Sequence, residues 1–124
     1  MADVILHGLS KAFGATLALQ DVGMTIPDGA FVVLLGPTGA GKTTTLRLIA
    51  GLDRPDAGDI RIDGQSVLLD TPAQRDVAMV FQQYSLYPHL TAYDNLAFPL
   101  RSPARRVPEA EISKRVEEIA AMLR

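Results

Sequence analysis

Gly36-Pro37-Thr38-Gly39-Ala40-Gly41-Lys42-Thr43 follows the pattern Gly, four residues, then Gly-Lys-Ser/Thr, the spacing of a P-loop whose backbone cradles phosphate. The apolar run Phe31-Val32-Val33-Leu34-Leu35 before it reads as a buried strand. Thr43 to Ala50 after it reads as a helix ended by Gly51. Strand, glycine-rich loop and helix in that order are the setting the pattern needs, and they point to an α/β fold.

The chemistry of such a loop rests on backbone more than on side chains. Gly36, Gly39 and Gly41 lack Cβ, so the chain can take positive φ and turn its amides toward phosphate oxygens. Pro37, Thr38 and Ala40 fill the loop between them. A helix beginning near Gly41 directs its unpaired N–H groups and positive dipole end at the same place. Lys42 is the candidate catalytic cation, able to reach β- and γ-phosphates, and the Thr43 hydroxyl is a candidate Mg²⁺ ligand. Thr44 is placed to give a further hydrogen bond to phosphate.

The rest of the composition sets limits. A chain of 124 residues allows one domain with a sizeable core. Twelve basic against fourteen acidic residues leave a net charge of −2, so no overall basic balance points to nucleic acid. With no cysteine, disulfides and thiolate metal sites are excluded, which fits a reducing compartment. Met1-Ala2-Asp3-Val4 lacks the basic and apolar regions of a secretion signal. No apolar stretch approaches the roughly 20 residues that span a bilayer. Direct membrane insertion is not expected, and any membrane role works through a partner.

Along the chain, Val4 to Leu9 alternates imperfectly as a strand, and Thr16 to Ile26 reads as one or two more, closed by the turn Pro27-Asp28-Gly29. Asp59 to Ile62 alternates, and Asp63-Gly64 is a hairpin signal leading into Gln65 to Leu68. Val77 to Phe81 is a second apolar run expected as a buried strand. These strands suggest an antiparallel sheet beside a parallel one. From Thr91 the character is helical. Thr91 with Asp94 resembles a capping box, Pro99 limits that helix, and Ser102 to Val107 is a basic linker. Pro108 opens a last helix whose Ile112, Val116, Ile119 and Leu123 form one apolar stripe, expected as core. Glu111 with Arg115 and Lys114 with Glu118 are spaced to pair on its solvent side. The expected division is 1–90 for the β subdomain and P-loop core, and 91–124 for the start of a helical subdomain.

The P-loop alone does not choose among kinases, GTPases, motors and transporters. Further segments do: Lys11-Ala12-Phe13-Gly14 upstream, Leu46 to Leu52 after the loop, Val80-Phe81-Gln82-Gln83, and Leu86-Tyr87-Pro88-His89-Leu90-Thr91. In this order they resemble the nucleotide-binding subunits of ABC transporters over essentially the whole chain. Arg75 to Gln82 and Ala97 to Arg101 look especially like the ATPases of bacterial carbohydrate importers.

The resemblance implies ATP and Mg²⁺ as cofactors. It makes Phe13 the aromatic that stacks on adenine, where the family more often has Tyr; the lesser alternative is a core aromatic behind the first strand. It makes Gln82 a catalytic residue that contacts Mg²⁺ or the attacking water, as an amide able to donate and accept can do. Gln83 reads as an ordinary surface residue. Tyr84 to Thr91 would face a membrane-spanning permease, His89 with no proton-transfer role. A second ATPase subunit would complete a dimer, peripheral on the cytoplasmic face of the plasma (inner) membrane. His7, without neighbouring ligand residues, reads as structural.

Hydrolysis in this family also needs an apolar strand ending in Asp-Glu, a Leu-Ser-Gly-Gly-Gln signature and a switch histidine. Val67-Leu68-Leu69-Asp70 imitates the first, but Thr71 follows, and Asp70 reads as a loop residue before Thr71-Pro72. The sequence holds no such signature and no histidine after His89. Three expectations follow. The preferred one is an incomplete ABC-type ATP-binding domain of an importer ATPase, with a carbohydrate as solute, or alternatively a polyamine or inorganic anion. The others are a short nucleotide-sensing module without hydrolysis, and another P-loop enzyme such as a kinase. The 124 residues alone are expected to be inactive in turnover.

Overall fold

The computed structural model describes residues 2–83, 85–103 and 105–123. Four strands, β1 (Val4–Phe13), β2 (Thr16–Ile26), β3 (Ala57–Ile62) and β4 (Gln65–Ser66), form one antiparallel sheet in the order β2-β1-β3-β4. Helix α1 (Lys42–Ile49) lies between β2 and β3 in sequence. Helix α2 (Ala92–Ala97), a 3-10 turn (Phe98–Arg101) and helix α3 (Glu109–Met122) follow. The chain divides into two units, one running to Met79 and one from Val80.

The imperfect alternation of the first strand has a structural cause. Leu6 and Leu9 are both fully buried although they stand three apart, a spacing that a regular strand would send to opposite faces. The β1–β2 register slips between them, with Gly8 (φ 57) and Asp21 (φ 49) in the left-handed region. Such a bulge turns the second leucine back inward. The Asp21 amide donates to Ser10 Oγ at 3.0 Å beside it. Leu6, Leu9, Leu19, Leu48, Ile60 and Val67 close the core between sheet and α1. Full burial of each large member contributes about 2 kcal/mol relative to exposure. The Asp63-Gly64 hairpin forms as its sequence requires, both residues having positive φ (53 and 74) in a type I′ turn.

Two expected strands do not form. Residues 31–35 and 77–81 run without ladder partners, and Phe31 and Val80 are 92% and 95% exposed. A parallel strand is fixed by hydrogen bonds to neighbours on its edges. Among the described residues every ladder is antiparallel and is taken up by β1–β4. The parallel sheet expected from the sequence is therefore not seen among the described residues, although the α/β character is. Asp70 is a loop residue, as expected, its amide donating to Val67 O at 3.1 Å.

In the second unit Thr91 caps α2, accepting from the Asp94 amide at 3.0 Å, while its hydroxyl donates to Asp94 Oδ2 at 2.6 Å. The helix stops at the 3-10 turn that contains Pro99. Pro108 stands as N-cap of α3. Ala97, Ile112 and Val116 are buried together, with Tyr93, Leu100 and Val107 against them. The apolar stripe of α3 is core only in its first half, since Ile119 is 45% exposed and Leu123 more so. Both expected pairs, Glu111 with Arg115 and Lys114 with Glu118, are present.

Arg101 joins the pieces, donating to Asp94 Oδ1 at 2.8 Å and Glu109 Oε1 at 2.6 Å. The Thr91 hydroxyl, then Arg101, hold Asp94 below its ordinary value of 3.8, and Arg101 holds Glu109 below 4.5. A carboxylate with a lowered folded pKa adds stability above its unfolded value, and the addition is lost as pH falls through the folded one. We expect helices α2 and α3 to lose amide protection in hydrogen exchange as the solution is taken to about pH 4 and below. Replacing Asp94 by Asn together with Glu109 by Gln should flatten that response; an unchanged acid response in the double variant would contradict the assignment.

Candidate functional site

Gly36 to Thr43 leaves a turn and enters α1 directly. Ala40 N donates to Pro37 O at 3.2 Å, Gly39 (φ 84) reverses the chain, and Gly41 (φ 82) is the N-cap. No side chain caps the first turn of α1, and no acidic residue stands in it. Its leading amides and the positive dipole end therefore remain for an external anion. Gly36 to Ala40 and Thr43 are exposed, whereas Thr45 is buried and returns its hydroxyl to Gly41 O at 2.9 Å.

Lys42 folds back over the loop, its Nζ donating to Gly36 O and Pro37 O at 2.7 Å each. An ammonium has three donors, so this latch leaves one for a phosphate oxygen. Two carbonyls hold the charge at the loop while a third direction stays open. The site fits a polyphosphate on these grounds. A divalent cation here would find the Thr43 hydroxyl rather than a protein cage, the arrangement in which Mg²⁺ keeps water and phosphate ligands.

The loop is held from behind. A Cβ on Gly41 would come within 2.5 Å of Leu19 Cδ2 and 2.6 Å of the Ala18 carbonyl. Glycine is required at this position for both conformation and space. The same hairpin carries Phe13, which pairs with Thr16 at its turn while Lys11 pairs with Leu19. Phe13 is half exposed, at 50%, so it is not a core aromatic. Lys11 Nζ lies 5.1 Å from its ring centroid and 3.5 Å from Asp56 Oδ1. Asp56 Oδ2 accepts from the Ala12 amide at 2.7 Å, and that bond, ahead of Lys11, keeps the carboxylate below its usual range.

At the far end of α1, Arg47 holds Asp53 through two bonds, of 2.6 and 3.1 Å. Arg75 donates to Leu48 O at 2.7 Å, Ile49 O at 3.0 Å and Asp70 O at 3.3 Å, and is only 5% exposed. No local residue pattern marks Arg75 for this role, since it stands with Asp76 as an ordinary charged pair between a Pro-containing turn and an apolar run. Asn95 was equally unforeseen. It accepts from Tyr87 N at 2.8 Å and donates to the carbonyls of Tyr87, Leu90 and Thr91, fixing the loop before α2. That loop borders a cavity of about 480 Å³ lined by Leu86, Tyr87, Pro88, Leu90, Leu96 and Asn95.

Gln82 and Gln83 are exposed and belong to the second unit. Tyr84, first residue of the stretch expected to face a permease, lies outside the described residues. His7 is exposed in β1, opposite Asp59. Among the described residues no group of three His, Asp or Glu side chains gathers, and no helix is long and apolar enough to cross a membrane.

Comparison with known proteins defines the class. Residues 19–124 match the family model described as ABC transporter. The chain belongs to the ABC transporter family. It is 49% identical over 129 residues to the trehalose/maltose import ATP-binding protein of Thermococcus litoralis, covering 99% of this chain and 34% of that protein. The sn-glycerol-3-phosphate import ATP-binding protein of Rhodopseudomonas palustris is 48% identical, with the same coverage. The Fe(3+) ions import ATP-binding protein of Escherichia coli is 45% identical over 97% of the chain and 34% of its own length. Among solved structures, a dimeric bacterial ABC transporter cassette matches with TM-score 0.80 and 30% identity, over 93% of this chain and 54% of that one. The chain thus spans about a third of the length of the curated relatives it matches. The described chain shares the cassette fold even where two of its expected strands lack ladder partners.

The two loop glycines separate conformation from space. Gly39→Ala meets nothing within 4 Å and should cost only the left-handed strain, about 1–2 kcal/mol. Gly41→Ala must also displace Leu19 and a β2 carbonyl, adding about 1–3 kcal/mol. Urea unfolding of the two variants checks this, and equal shifts would refute the contact of loop with β2.

Proposed function

We propose that the chain holds the phosphates and Mg²⁺ of ATP in the ATP-binding subunit of an ABC importer. The observation that carries this is the Lys42 latch across Gly36 and Pro37 at the uncapped start of α1. The loop and first-turn amides other than that of Ala40, which donates to Pro37 O, would meet the β- and γ-phosphate oxygens, with Lys42 giving its third donor to them and Thr43 its hydroxyl to the metal. Mg²⁺, where bound, would be held by the Thr43 hydroxyl and would supply charge neutralisation at the phosphates. Phe13 offers a half-exposed ring face to adenine, with Lys11 on the ring. Gln82 is assigned to Mg²⁺ or the attacking water on the family resemblance.

Permease subunits are the proposed partners of the stretch 84–91, of which Leu86, Tyr87, Pro88 and Leu90 line the apolar cavity before α2, braced by Asn95. A second ATPase subunit is the other partner, and the cytoplasmic face of the membrane the location; the solved relative is described as dimeric. The division at residue 90 into a core and a helical subdomain belongs to the same proposal. A carbohydrate or sugar derivative is the proposed solute, supported by relatives named for trehalose/maltose and glycerol-3-phosphate. The relative named for iron, at 45% identity, keeps an inorganic ion as the alternative.

The 124 residues contain no apolar run ending in Asp-Glu, no Leu-Ser-Gly-Gly-Gln segment and no histidine after His89. The proposal is therefore binding without turnover by this chain alone. Lys42→Ala should weaken Mg-ATP binding by roughly 10- to 100-fold, the worth of a charge-assisted hydrogen bond. Phe13→Ala should weaken ATP by roughly 5- to 100-fold through lost stacking, while leaving inorganic triphosphate unaffected. Calorimetric titration tests both. Equal affinity in Lys42→Ala and the parent would sink the phosphate assignment. Phosphate release above the Lys42→Ala background would overturn the expectation of no turnover.

A further inference from the structure

Arg75 is a buried cation that bonds two backbone carbonyls at the end of the P-loop helix and a third, of Asp70, in a loop. Its Nη1 donates to Leu48 O at 2.7 Å and Ile49 O at 3.0 Å, across 27 and 26 residues, and its Nε donates to Asp70 O at 3.3 Å. The helix ends on Gly51 (φ 76), and a Cβ there would stand 2.7 Å from Arg75 Nε and 3.0 Å from Cζ. The helix terminus is thus shaped round the guanidinium, with glycine needed for turn and room alike. Burial pulls its pKa down, and Asp70 partly offsets this, but an arginine stays charged at any ordinary pH. A cation bonded to the last carbonyls of a helix faces its negative dipole end.

Helix α1 has eight residues, a length at which isolated helices do not persist in water. Its direction is set by what grips its ends. At the N-terminal end the grip is Gly41 against β2; at the C-terminal end it is Arg75. We propose that Arg75 is a positioning residue for the nucleotide site, holding α1 along its axis so that the first-turn amides and Lys42 meet the phosphates. This rests on the phosphate-binding role proposed above. Arg75 touches no phosphate and acts through the helix. Its replacement weakens the hold on the triphosphate, and does so beyond any general loss of stability.

The test compares Arg75→Met, Arg75→Lys and Ile62→Ala in the full chain. Ile62 packs on the core from β3 and serves as a destabilised control. Hydrogen exchange across 42–50 reports the grip, and calorimetric titration with Mg-ATP and with Mg-triphosphate reports the site. Arg75→Met should lose protection in α1 and bind both ligands about tenfold more weakly. Arg75→Lys, which can reach a carbonyl, should recover part of each. Ile62→Ala should lower the melting temperature and leave affinity as in the parent. Unchanged affinity in Arg75→Met, or an equal loss in Ile62→Ala, overturns the positioning role. A parent chain that binds neither ligand overturns the proposed function and the positioning role with it; lost α1 protection in Arg75→Met would then mark Arg75 as a structural brace alone.

Discussion

Everything proposed for this chain depends on where two turns of helix are held. Helix α1 buries Thr45 and Leu48 and leaves Leu46 half exposed, so apolar packing fixes one side of it. The ends are fixed by contacts of another kind. Gly41 abuts the Ala18 carbonyl, and Arg75 occupies the carbonyls of Leu48 and Ile49. The latter costs the desolvation of a guanidinium, offset by two hydrogen bonds to the end of the helix and a third to Asp70 O. The result is a helix whose amides point at solvent with nothing of their own to satisfy them.

What could be read from the sequence was what local chemistry decides. The left-handed turns at Gly39 and Gly41, the Asp63-Gly64 turn and the Thr91 cap all formed, because each depends on residues within one turn of itself. The strands at 31–35 and 77–81 were read from apolarity, which says that a segment wants burial and not which neighbour provides it. Their outcome depends on ladder partners, which are not found among the described residues. Arg75 and Asn95 escaped for a related reason. Each acts by bonding carbonyls, and a carbonyl leaves no mark in the residue pattern.

The second unit shows the same division of labour. Its apolar cluster is small, with Ala97, Ile112 and Val116 alone buried among the described residues. A core of that size leaves polar contacts a larger share of the organisation. Asn95 fixes the loop from Tyr87 to Thr91 with four hydrogen bonds, and Arg101 spans α2 and α3 through Asp94 and Glu109. The ion pairs are exposed and therefore weak singly. Their geometric role, setting which faces of α2 and α3 meet, does not require them to be strong. The exposed later half of the α3 stripe marks where that small core ends.

The relatives sharpen what kind of information this stretch carries. Three of them, named for trehalose/maltose, glycerol-3-phosphate and iron, are 49%, 48% and 45% identical to the chain over nearly its whole length. Those names differ in solute while the matched third is similar, and the proposed site offers a physical reading of this. A phosphate cradle of backbone amides, one ammonium and one hydroxyl, as proposed for residues 36–44, would be indifferent to anything but oxygen geometry and charge. Nothing in it could distinguish a disaccharide from a metal ion. Features that can vary without disturbing the cradle lie outside it, such as the ring at Phe13 or, in the second unit, the apolar Leu86, Tyr87, Pro88 and Leu90.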